Sequence, residues 1–499
     1  MNYQSSRGNS SFITAPHAIK MGIAPDGGLF VPDYVPEISK NVFFRMESWS
    51  YQERAAYILQ SFLNEFSDKE IADCVYGAYN LDSFDDERIA PLLELYERVH
   101  IQELWHGPTS AFKDMALQML PRLLSKSVRK TGENDEMLIL VATSGDTGKA
   151  ALEGFKDVGG IRIIVFFPDD GVSEVQKRQM ISQEGQNVHV AAVKGNFDDA
   201  QTGVKRIFAS KSFATVLSRK GIKMSSANSI NWGRLLPQIV YYVSAYVDLK
   251  ADGKMEQGEG INFVVPTGNF GNILAAYYAM KMGVPVNRLI CAANANKVLT
   301  DFINTGIYDR KRKFEKTISP SMDILISSNL ERLLFEITDH DAVRVSKWME
   351  DLQREGNYKI DKDTLTKIQK IFWSDYCTDV DTMETIRSIW LNRRYLIDPH
   401  TAVAVNVYEK YLLNTGDKSP TVIVSTASPF KFGSSVARAI LGEDFIKGKN
   451  EFEILEFLSD KTGIPIPEGI KGLDKREVRH KTVTDSDKME ETVLAFLGI

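Results

Sequence analysis

Short apolar runs alternate with helical spacing through the middle of the chain. The runs at Met137–Ala142, Ile161–Phe167 and Ile261–Val265 are bounded by turn residues, and such continuous runs are typical of strands buried on both faces. Helical spacing follows at Lys149–Lys156 and again at Ile273–Met282. Strands that alternate with helices in this way predict parallel sheets covered on both faces, and therefore an α/β fold.

The rest of the chain has weaker patterns. Apolar positions at helical spacing predict helices across 48–100, and the segment 306–395 is charged, mixed and largely helical in pattern. The polar tail beyond Gly442 is predicted to be peripheral. The remaining apolar runs predict three strands and one helix, which are Val188–Val193, Leu289–Ala293, Thr421–Ser425 and Val172–Glu184.

One predicted helix begins with a lysine. The stretch His106–Gln118 reads HGPTSAFKDMALQ. Its Pro108, followed by Thr109 and Ser110, provides helix-start and capping signals. Lys113 then lies in the first turn of a buried helix, where the positive end of the helix dipole and the apolar surroundings both disfavour an ammonium. A neutral amine is the form that makes a Schiff base with an aldehyde. The alternative is that Lys113 extends to solvent, as most helix lysines do.

Composition narrows the classes of protein. The chain has 499 residues, enough for two or three domains, of which 43% are hydrophobic and 25% charged, with a formal net charge of −6. No basic block is present, so nucleic acid is not an expected partner. No apolar run has the length of a membrane span or of a signal-peptide core, which predicts a cytoplasmic protein.

The residue types that form disulfides and metal sites are sparse. The three cysteines, Cys74, Cys291 and Cys377, are far apart and predict neither a disulfide framework nor a CxxC metal site. Their number fits a reducing compartment. The seven histidines have no HExxH-like spacing, so no metal is expected.

A glycine-rich loop follows the predicted strand Ile261–Val265. Gly268–Asn269–Phe270–Gly271–Asn272 precedes a helix, and its two glycines let backbone N–H groups approach an anion closely. This context indicates a phosphate site. A variant dinucleotide loop and a plain strand-to-helix turn are the alternatives. Against the dinucleotide loop, G-x-G-x-x-G is absent and the strand Leu289–Ala293 is followed by Asn294, which is not acidic.

A second loop of the same kind follows the predicted strand Met137–Ala142. It reads TSGDTG, and the hydroxyls of Ser144 and Thr147 together with the loop amides suit a small anion such as a carboxylate. Asp146 presents acceptor oxygens to a hydroxyl or an amine. The alternative for Asp146 and Thr147 is helix capping. Both loops are expected at the carboxyl ends of parallel strands, where open α/β sheets bind ligands.

Two further groups complete the candidate chemistry. Asn228 and Asn231 supply amides next to Arg234, whose guanidinium can bind an oxyanion through two hydrogen bonds, although a surface arginine beside a capped helix is the alternative. Thr426 follows the strand Thr421–Ser425, where its hydroxyl can bond a ring nitrogen without forcing that nitrogen to be charged. An amine for an aldehyde, a phosphate loop, a small-anion loop and a ring hydroxyl are together the requirements of pyridoxal 5′-phosphate (PLP).

These motifs occur in the order found in the threonine synthase family, and the chain resembles the long form of that family over essentially its whole length. They read HGPTSAFKDMALQ, TSGDTG, NSINWGR, PTGNFGN and STASPFKF, with APDGGLFVP near the start and DPHTAVA at Asp398–Ala404. The resemblance implies the tryptophan-synthase-beta-like PLP fold, also called fold type II. It further implies conversion of O-phospho-L-homoserine and water to L-threonine and phosphate, the last step of threonine biosynthesis.

The resemblance also implies roles for individual residues. Lys113 would hold PLP as a Schiff base, Thr426 would face its pyridine nitrogen, and Asp146 would face its 3′-hydroxyl. The residues expected to line the PLP phosphate site are Gly268, Asn269, Phe270, Gly271 and Asn272. Those expected to bind the substrate are Ser144 and Thr147 at its carboxylate, and Asn228 and Arg234 at its phosphate with Asn231 beside them. The chain departs from the family at Ser428, where the expected motif has histidine.

The expected domains and partners follow the resemblance. An N-terminal extension spans 1–95, the large PLP-binding domain spans 96–134 and 226–499 with a mostly helical insertion at about 306–395, and a small α/β domain spans 135–225. The small domain is expected to be mobile and to close over the substrate. The expected partner is that small molecule, with neither nucleic acid nor membrane, and the protein is a monomer or a homodimer.

Three alternatives stay open at this point. A serine/threonine dehydratase or a β-replacement synthase of the same fold needs no second phosphate site, so the cluster from Asn228 to Arg234 separates it from the main interpretation. A nucleotide-binding α/β oxidoreductase would use the loop at 268–272 and would form no Schiff base. A homologue that only binds or regulates is disfavoured by the intact Lys113 and Thr426.

Overall fold

Two largely parallel sheets form the frame of the molecule. The computed structural model describes residues 1–9, 11–132, 135–143, 145–169, 172–256 and 258–499. Among these residues one sheet has six strands and the other has five. The prediction of an α/β fold is confirmed, because strands and helices alternate along the chain and most strands pair in parallel.

A small antiparallel sheet and several helices form the N-terminal region. Its elements are β1 (Asn2–Ser5), β2 (Ile13–Thr14), α1 (Ala15–Met21), β3 (Phe30–Pro32), α2 (Lys40–Met46), α3 (Tyr51–Phe62) and α4 (Asp68–Ala78). β1 pairs with both β2 and β3. Ser50 and Ser67 start α3 and α4, because their hydroxyls accept backbone N–H groups of the first helical turn. Tyr3 joins this region to the rest of the molecule, and its ring lies 5.6 Å from that of Trp232.

The segment before Lys113 contains a hairpin. β4 (Leu92–Tyr96) and β5 (Val99–Glu103) pair antiparallel, so the prediction of helices throughout 48–100 is wrong for its last part. β5 lies inside the larger sheet, where pairing with a strand that starts at Thr421 outweighs the local pattern. Two helices follow, α5 (Lys113–Leu117) and α6 (Leu120–Lys130).

Strands and helices alternate between residues 136 and 225. The elements are β6 (Glu136–Ala142), α7 (Asp146–Phe155), β7 (Ile161–Pro168), α8 (Glu174–Ile181), β8 (Val188–Val193), α9 (Phe197–Ala209), α10 (Lys211–Ser218) and β9 (Ile222–Ser225). The pairs β8–β7, β7–β6 and β6–β9 are all parallel. The strands predicted in this part of the chain are therefore confirmed, and the predicted helix 172–184 is shorter at both ends than its pattern suggests.

The larger sheet and its helices occupy the chain up to residue 432. The elements are α11 (Trp232–Ala251), β10 (Ile261–Pro266), α12 (Gly271–Lys281), β11 (Val286–Ala293), α13 (Val298–Thr305), β12 (Ile307–Asp309), α14 (Leu330–Ile337), α15 (Ala342–Glu355), β13 (Asn357–Lys359), α16 (Lys362–Ile371), β14 (Phe372–Tyr376), α17 (Asp379–Arg393), α18 (Pro399–Thr415) and β15 (Thr421–Ser425), with short 3-10 helices at Pro320–Met322 and Pro429–Phe432. The strand order is β14-β11-β10-β15-β5-β4, and within the described part of this sheet only β4 runs antiparallel to its neighbour. β14 is an edge strand that the helical pattern of 306–395 does not reveal.

The C-terminal segment returns to the smaller sheet. Its elements are α19 (Gly433–Leu441), α20 (Glu443–Ile446), α21 (Glu451–Thr462), a 3-10 helix at Leu473–Lys475, β16 (Thr482–Thr484) and α22 (Met489–Leu497). β16 pairs in parallel with β8, which gives the order β16-β8-β7-β6-β9. Leu458, Met489 and Val493 are fully buried, so the prediction of a peripheral tail is wrong. The sheet of the predicted small domain thus includes a strand from outside 135–225, because apolar positions of the tail complete its core.

The two sheets meet closely where α7 packs on α5. Gly154 of α7 lies against the carbonyl oxygen of Leu117, the last residue of α5, and a Cβ at residue 154 would lie 1.9 Å from that oxygen. Backbone atoms cannot yield as a flexible side chain can. Only glycine therefore allows this approach between the two helices.

We expect Gly154→Ala to lower the free energy of unfolding by about 1–3 kcal/mol, since the added methyl forces the helices apart. The measurement is the midpoint of denaturant unfolding. Gly159→Ala is the matched control, because no described atom lies within 4 Å of a Cβ built at that residue. Equal midpoints for the two variants would show that the contact between α7 and α5 does not limit stability.

Candidate active site

Lys113 is held at the carboxyl end of the larger sheet by the backbone around it. The N–H of Phe112 donates to the carbonyl of Thr426 over 2.8 Å, directly after β15. Ala111 forms an isolated bridge with Ala427, and the N–H of Ser428 donates to the carbonyl of Ser110 over 3.0 Å. The loop of Lys113 is in this way fastened to the end of β15, where ligands of open parallel sheets bind.

The helix of Lys113 starts differently from the prediction. Lys113 is the first residue of α5, as expected, but the preceding Phe112 forms no side-chain cap. The capping prediction for Thr109 and Ser110 is wrong. Asp114 in the first helical turn reaches back instead, and its carboxylate accepts the N–H of Thr109 at 2.8 Å and its hydroxyl at 2.7 Å. The side chain of Asp114 thus bonds to the loop, where capping would have had a loop side chain bond to the helix. The backbone of the loop is hydrogen-bonded to the segment that follows β15.

The amine of Lys113 is buried and faces an acid and a hydroxyl. Its Nζ lies 3.5 Å from Oδ2 of Asp146 and 3.5 Å from Oγ of Ser321. Burial lowers the pKa of Lys113, and the positive charges of Arg234 and Lys431 lower it further, although Asp146 opposes them. The alternative of a solvent-exposed lysine does not hold, since Lys113 is buried. The site therefore favours a neutral amine.

Asp146 is the centre of a buried charge network. It is the first residue of α7, and its Oδ1 lies 2.9 Å from Nζ of Lys431 and accepts Nε2 of Gln176 at 2.8 Å. Burial alone would raise the pKa of Asp146, but the charges of Lys431 and Lys113 and the hydrogen bonds outweigh it and hold that pKa well below its usual range. Lys431 is itself fully buried and also donates to the carbonyl of Thr109 at 2.8 Å.

The glycine-rich loop at 268–272 joins β10 to α12. Phe270 has a left-handed backbone with φ 64°, which turns the chain into the helix that starts at Gly271. The carbonyl of Gly268 accepts the hydroxyl of Ser327 at 2.7 Å, and that of Asn269 accepts the N–H of Asn329 at 3.1 Å. The segment around Asn329 therefore fixes the shape of the loop.

Asn272 has a donor without a partner at the start of α12. Its Oδ1 accepts the hydroxyls of Tyr241 and Tyr242, the second over 2.7 Å. Its buried Nδ2 has no hydrogen-bond partner among the described residues. An unpaired buried donor is unfavourable by about 1–3 kcal/mol, and the N-terminus of α12 adds positive potential beside it. Both features would be satisfied by a phosphate.

The other predicted cofactor and carboxylate residues lie on neighbouring loops. Thr426 is buried just after β15, and Thr147 is half-buried in the first turn of α7. The hydroxyl of Thr143 shapes the TSGDTG loop, because it accepts the N–H groups of Gly145 at 3.0 Å and Gly148 at 2.9 Å. Ser144 lies outside the described residues, so its predicted role stays a prediction.

Arg234 is a buried cation in the third position of α11. Its Nη1 donates to the carbonyl of Ala227 at 2.8 Å, and no carboxylate of the described residues forms an ion pair with it. Burial lowers the pKa of Arg234 to about 10. A buried guanidinium without a carboxylate partner is a site for an anion.

The two asparagines near Arg234, Asn231 and Asn228, differ in the hydrogen bonds that their side chains form. Asn231 caps α11, since its Oδ1 accepts the N–H of Gly233 at 2.9 Å, and its Nδ2 donates to the carbonyl of Ile19 at 2.9 Å. Its amide is thus engaged in holding the helix start, and its contact with a substrate stays a prediction. Asn228 is half-buried beside it, and its carbonyl accepts the N–H of Asn231 at 3.1 Å.

The residues present fit PLP. A buried lysine amine, a glycine-rich phosphate loop with the unpaired donor of Asn272, and a hydroxyl at Thr426 match an aldehyde, a phosphate and a ring nitrogen. The contacts of Lys431, Ser321 and Gln176 with the site were not predicted. The sequence signal for Lys431 is the STASPFKF motif, and Gln176 lies in the predicted helix Val172–Glu184, but local patterns do not show such long-range contacts.

Comparison with known proteins identifies relatives along most of the chain. The family described as threonine synthase N terminus matches residues 2–79, that described as pyridoxal-phosphate dependent enzyme matches 85–349, and that described as threonine synthase, C-terminal matches 401–493. Threonine synthase of Saccharomyces cerevisiae is 36% identical over 468 residues, covering 88% of this chain and 89% of its own. Threonine synthase of Pseudomonas aeruginosa is 38% identical over 447 residues, with 89% and 91% covered.

Other relatives are longer, and solved structures share the fold. Threonine synthase-like 1 of Homo sapiens is 41% identical over 434 residues, which are 85% of this chain but only 57% of that protein. This chain thus spans little more than half the length of that relative. The PLP-bound threonine synthase from Brucella melitensis superposes with a TM-score of 0.88 at 36% identity and 99% coverage of both chains. The yeast threonine synthase structure gives 0.88 at 32% identity, covering 100% of this chain and 99% of that chain.

We expect Lys431→Met to raise the pKa of Lys113, because it removes a nearby positive charge. The carboxylate of Asp146 then has Lys113 as its one remaining lysine partner of the two. The rate at which Lys113 reacts with 1-fluoro-2,4-dinitrobenzene in the cofactor-free protein, followed by peptide mass spectrometry across pH, reports its neutral fraction.

Lys149→Met is the matched control, since Lys149 is also buried but pairs with Glu153 at 2.8 Å. It should leave the midpoint of Lys113 labelling in place. A midpoint for Lys431→Met at or below that of the wild type would contradict this account of the charge network.

Proposed function

The chain belongs to the threonine synthase family of PLP-dependent enzymes, and on that premise we propose that it converts O-phospho-L-homoserine and water to L-threonine and phosphate. One observation carries the choice of substrate. Arg234 is a buried cation without a carboxylate partner among the described residues, and its charge acts on the pKa of Lys113. The site therefore offers an anion position in addition to the loop at 268–272. A substrate that carries its own phosphate uses both.

The cofactor would be held by residues of both sheets. Lys113 would supply the amine for its aldehyde, the loop from Gly268 to Asn272 would hold its phosphate, and the buried hydroxyl of Thr426 would face its ring nitrogen. When bound, PLP provides an electron sink for the electron pair left behind when a proton leaves the substrate carbon. Asp146 is kept ionised by Lys431 and acts as a fixed acceptor beside the amine.

The residues around Lys113 favour the form of its amine that can accept a proton. Burial and two neighbouring cations favour its neutral amine, which can take up a proton at Nζ and later return it. Arg234 and Asn228 would hold the phosphate of the substrate before and after it leaves. We infer that the departing phosphate, kept in place by these residues, assists the later proton transfers. Burial of the site limits access of water to the one molecule that adds.

The alternative enzymes, a dehydratase and a nucleotide-binding oxidoreductase, would require different groups at this site. A dehydratase of the same fold needs the Lys113 amine but no second anion position, so it has no use for a buried Arg234 that pairs with no carboxylate of the described residues. Membership of a PLP-dependent family disfavours the nucleotide-binding oxidoreductase, because the matched region 85–349 includes the loop at 268–272.

Assembly, location and domain motion remain predictions. We propose that the protein acts on a small-molecule substrate as a monomer or homodimer in the cytoplasm, and that the domain at 135–225 closes over the substrate. No helix within the described ranges combines the length and the apolar character that crossing a membrane requires.

Lys113→Ala should abolish the visible absorbance band of the Schiff base between PLP and the protein and reduce phosphate release from O-phosphohomoserine by about a thousandfold or more, since the amine both binds the aldehyde and moves protons. Absorbance spectra and a phosphate assay measure the two effects. Lys126→Ala is the control, because Lys126 lies on the next helix and pairs with Asp73 at 3.4 Å. Normal phosphate release by Lys113→Ala would overturn the proposal, and cofactor absorbance without phosphate release in the wild type would favour a dehydratase.

Arg234→Gln should lower kcat/KM for O-phosphohomoserine by about 10- to 100-fold, because a charge-assisted hydrogen bond to phosphate is lost. It should lower kcat as well as raise KM if the held phosphate assists later steps. Inhibition by L-homoserine, which has no phosphate, is the control and should keep its constant. A change in KM alone would refute the assisting role of the phosphate.

A further inference from the structure

Two motifs without a role in the proposed mechanism meet beside Lys113. One is DPHTAVA at Asp398–Ala404, which begins α18. The other is the 3-10 helix Pro320–Met322, within a segment that has little regular structure. Both are far from Lys113 in sequence. Their meeting point is Ser321.

Ser321 contacts three parts of the site. Its Oγ lies 3.5 Å from Nζ of Lys113 and donates to Oδ2 of Asp146 at 3.3 Å. Its backbone N–H donates to Nε2 of His400 at 3.1 Å. The side-chain contacts are at the long end of hydrogen bonding, which is usual for catalytic groups before ligands draw them together. Ser321 therefore connects the amine of Lys113 to the start of α18.

His400 is fixed in one tautomer. Since Nε2 accepts the N–H of Ser321, the ring proton is on Nδ1, which lies 2.7 Å from Oδ1 of Asp398. Asp398 and His400 are both fully buried, and Asp398 also accepts the backbone N–H of His400 at 2.9 Å. The ring packs edge-on against Phe432 with centroids 4.8 Å apart. The acceptor for Ser321 thus has a fixed position.

The glycine-rich loop at 268–272 packs against the other side of the 3-10 helix Pro320–Met322. A Cβ at Gly268 would lie 2.7 Å from the carbonyl oxygen of Ser321, so backbone meets backbone there. The 3-10 helix cannot approach the loop further without a clash. Ser321 is consequently fixed between His400 and the loop of Gly268.

The direction of the hydrogen bonds gives Ser321 a function. Because its hydroxyl proton points to Asp146, a lone pair of Oγ is left for Lys113. The ionised Asp146 is also only an acceptor toward Lys113. A neutral amine has two N–H bonds and one lone pair. Two acceptors on one side engage the N–H bonds and leave the lone pair to face the open side of the site.

We propose that Ser321 is a further catalytic residue, which together with Asp146 orients the amine of Lys113, and that the buried pair Asp398–His400 is its positioning device. This inference rests on the proposed use of Lys113 as the amine that bonds PLP. It does not depend on which substrate follows.

The test is the rate at which cofactor-free protein captures PLP, followed by stopped-flow absorbance. Ser321→Ala should capture PLP about tenfold more slowly, the effect of losing one hydrogen bond from the attacking amine. Ser319→Ala is the matched control, since this neighbouring hydroxyl accepts Nδ2 of Asn294 at 3.0 Å, whereas the hydrogen-bond contacts of Lys113 within the described residues are with Asp146 and Ser321. It should capture PLP within about twofold of the wild type.

The positioning role is tested by two substitutions of His400. His400→Phe keeps a ring against Phe432 but loses the acceptor, so it should slow capture as much as Ser321→Ala does. His400→Gln keeps an acceptor and should restore most of the rate. Ser321→Ala combined with His400→Phe should be no slower than Ser321→Ala alone, because His400 acts on Lys113 only through the position of the Ser321 hydroxyl.

The outcomes separate this inference from the proposed function. Capture at the wild-type rate by Ser321→Ala, or equal slowing by Ser319→Ala, would overturn it. If His400→Phe does not fold, the two serine variants decide alone, since each removes a single oxygen atom. A wild type that captures PLP but releases no phosphate from O-phosphohomoserine would refute the substrate and leave the inference on Ser321 intact.

Discussion

The buried carboxylate of Asp146 between two lysines is the interaction on which the site depends. Asp146 starts α7 on the smaller sheet, whereas Lys113 and Lys431 follow from the larger one. Each of these charges alone would be strongly unfavourable without water, and removal of Asp146 would leave two lysines buried without their acid partner. The network therefore fixes how the two sheets meet at the site. It also leaves one excess positive charge among the three groups, which favours a neutral Lys113.

Local patterns predicted the elements that carry the chemistry. The strands that precede the loops at 143–148 and 268–272, and the helix that starts at Lys113, have apolar spacing that is visible within ten residues. β5 and β14 were missed because their pairing partners lie far away in the chain, at β15 and β11. Their sequences alone are compatible with helix. Tertiary pairing decides such segments.

The site likewise combines residues that local patterns reveal with residues that only long-range contacts bring in. Lys113, Asp146 and Arg234 are recognisable from their residue type beside a turn or helix start, and the structure brings them close enough to affect one another's ionisation. The network of Lys431, Ser321 and His400 could not be predicted, because each reaches the amine across hundreds of residues or through another side chain. Asn231 shows the converse, since a motif residue beside the anion site is engaged in capping a helix.

The late position of strand β16 in the chain has a consequence for folding during translation. It adds to β8 at the edge of the smaller sheet, and α22 fills the core beside it, although both are made long after β6 to β9. During synthesis the smaller sheet therefore keeps an apolar face and an open edge until β16 and α22 have emerged from the ribosome. A chain cut short before residue 482 would lack the strand that covers β8.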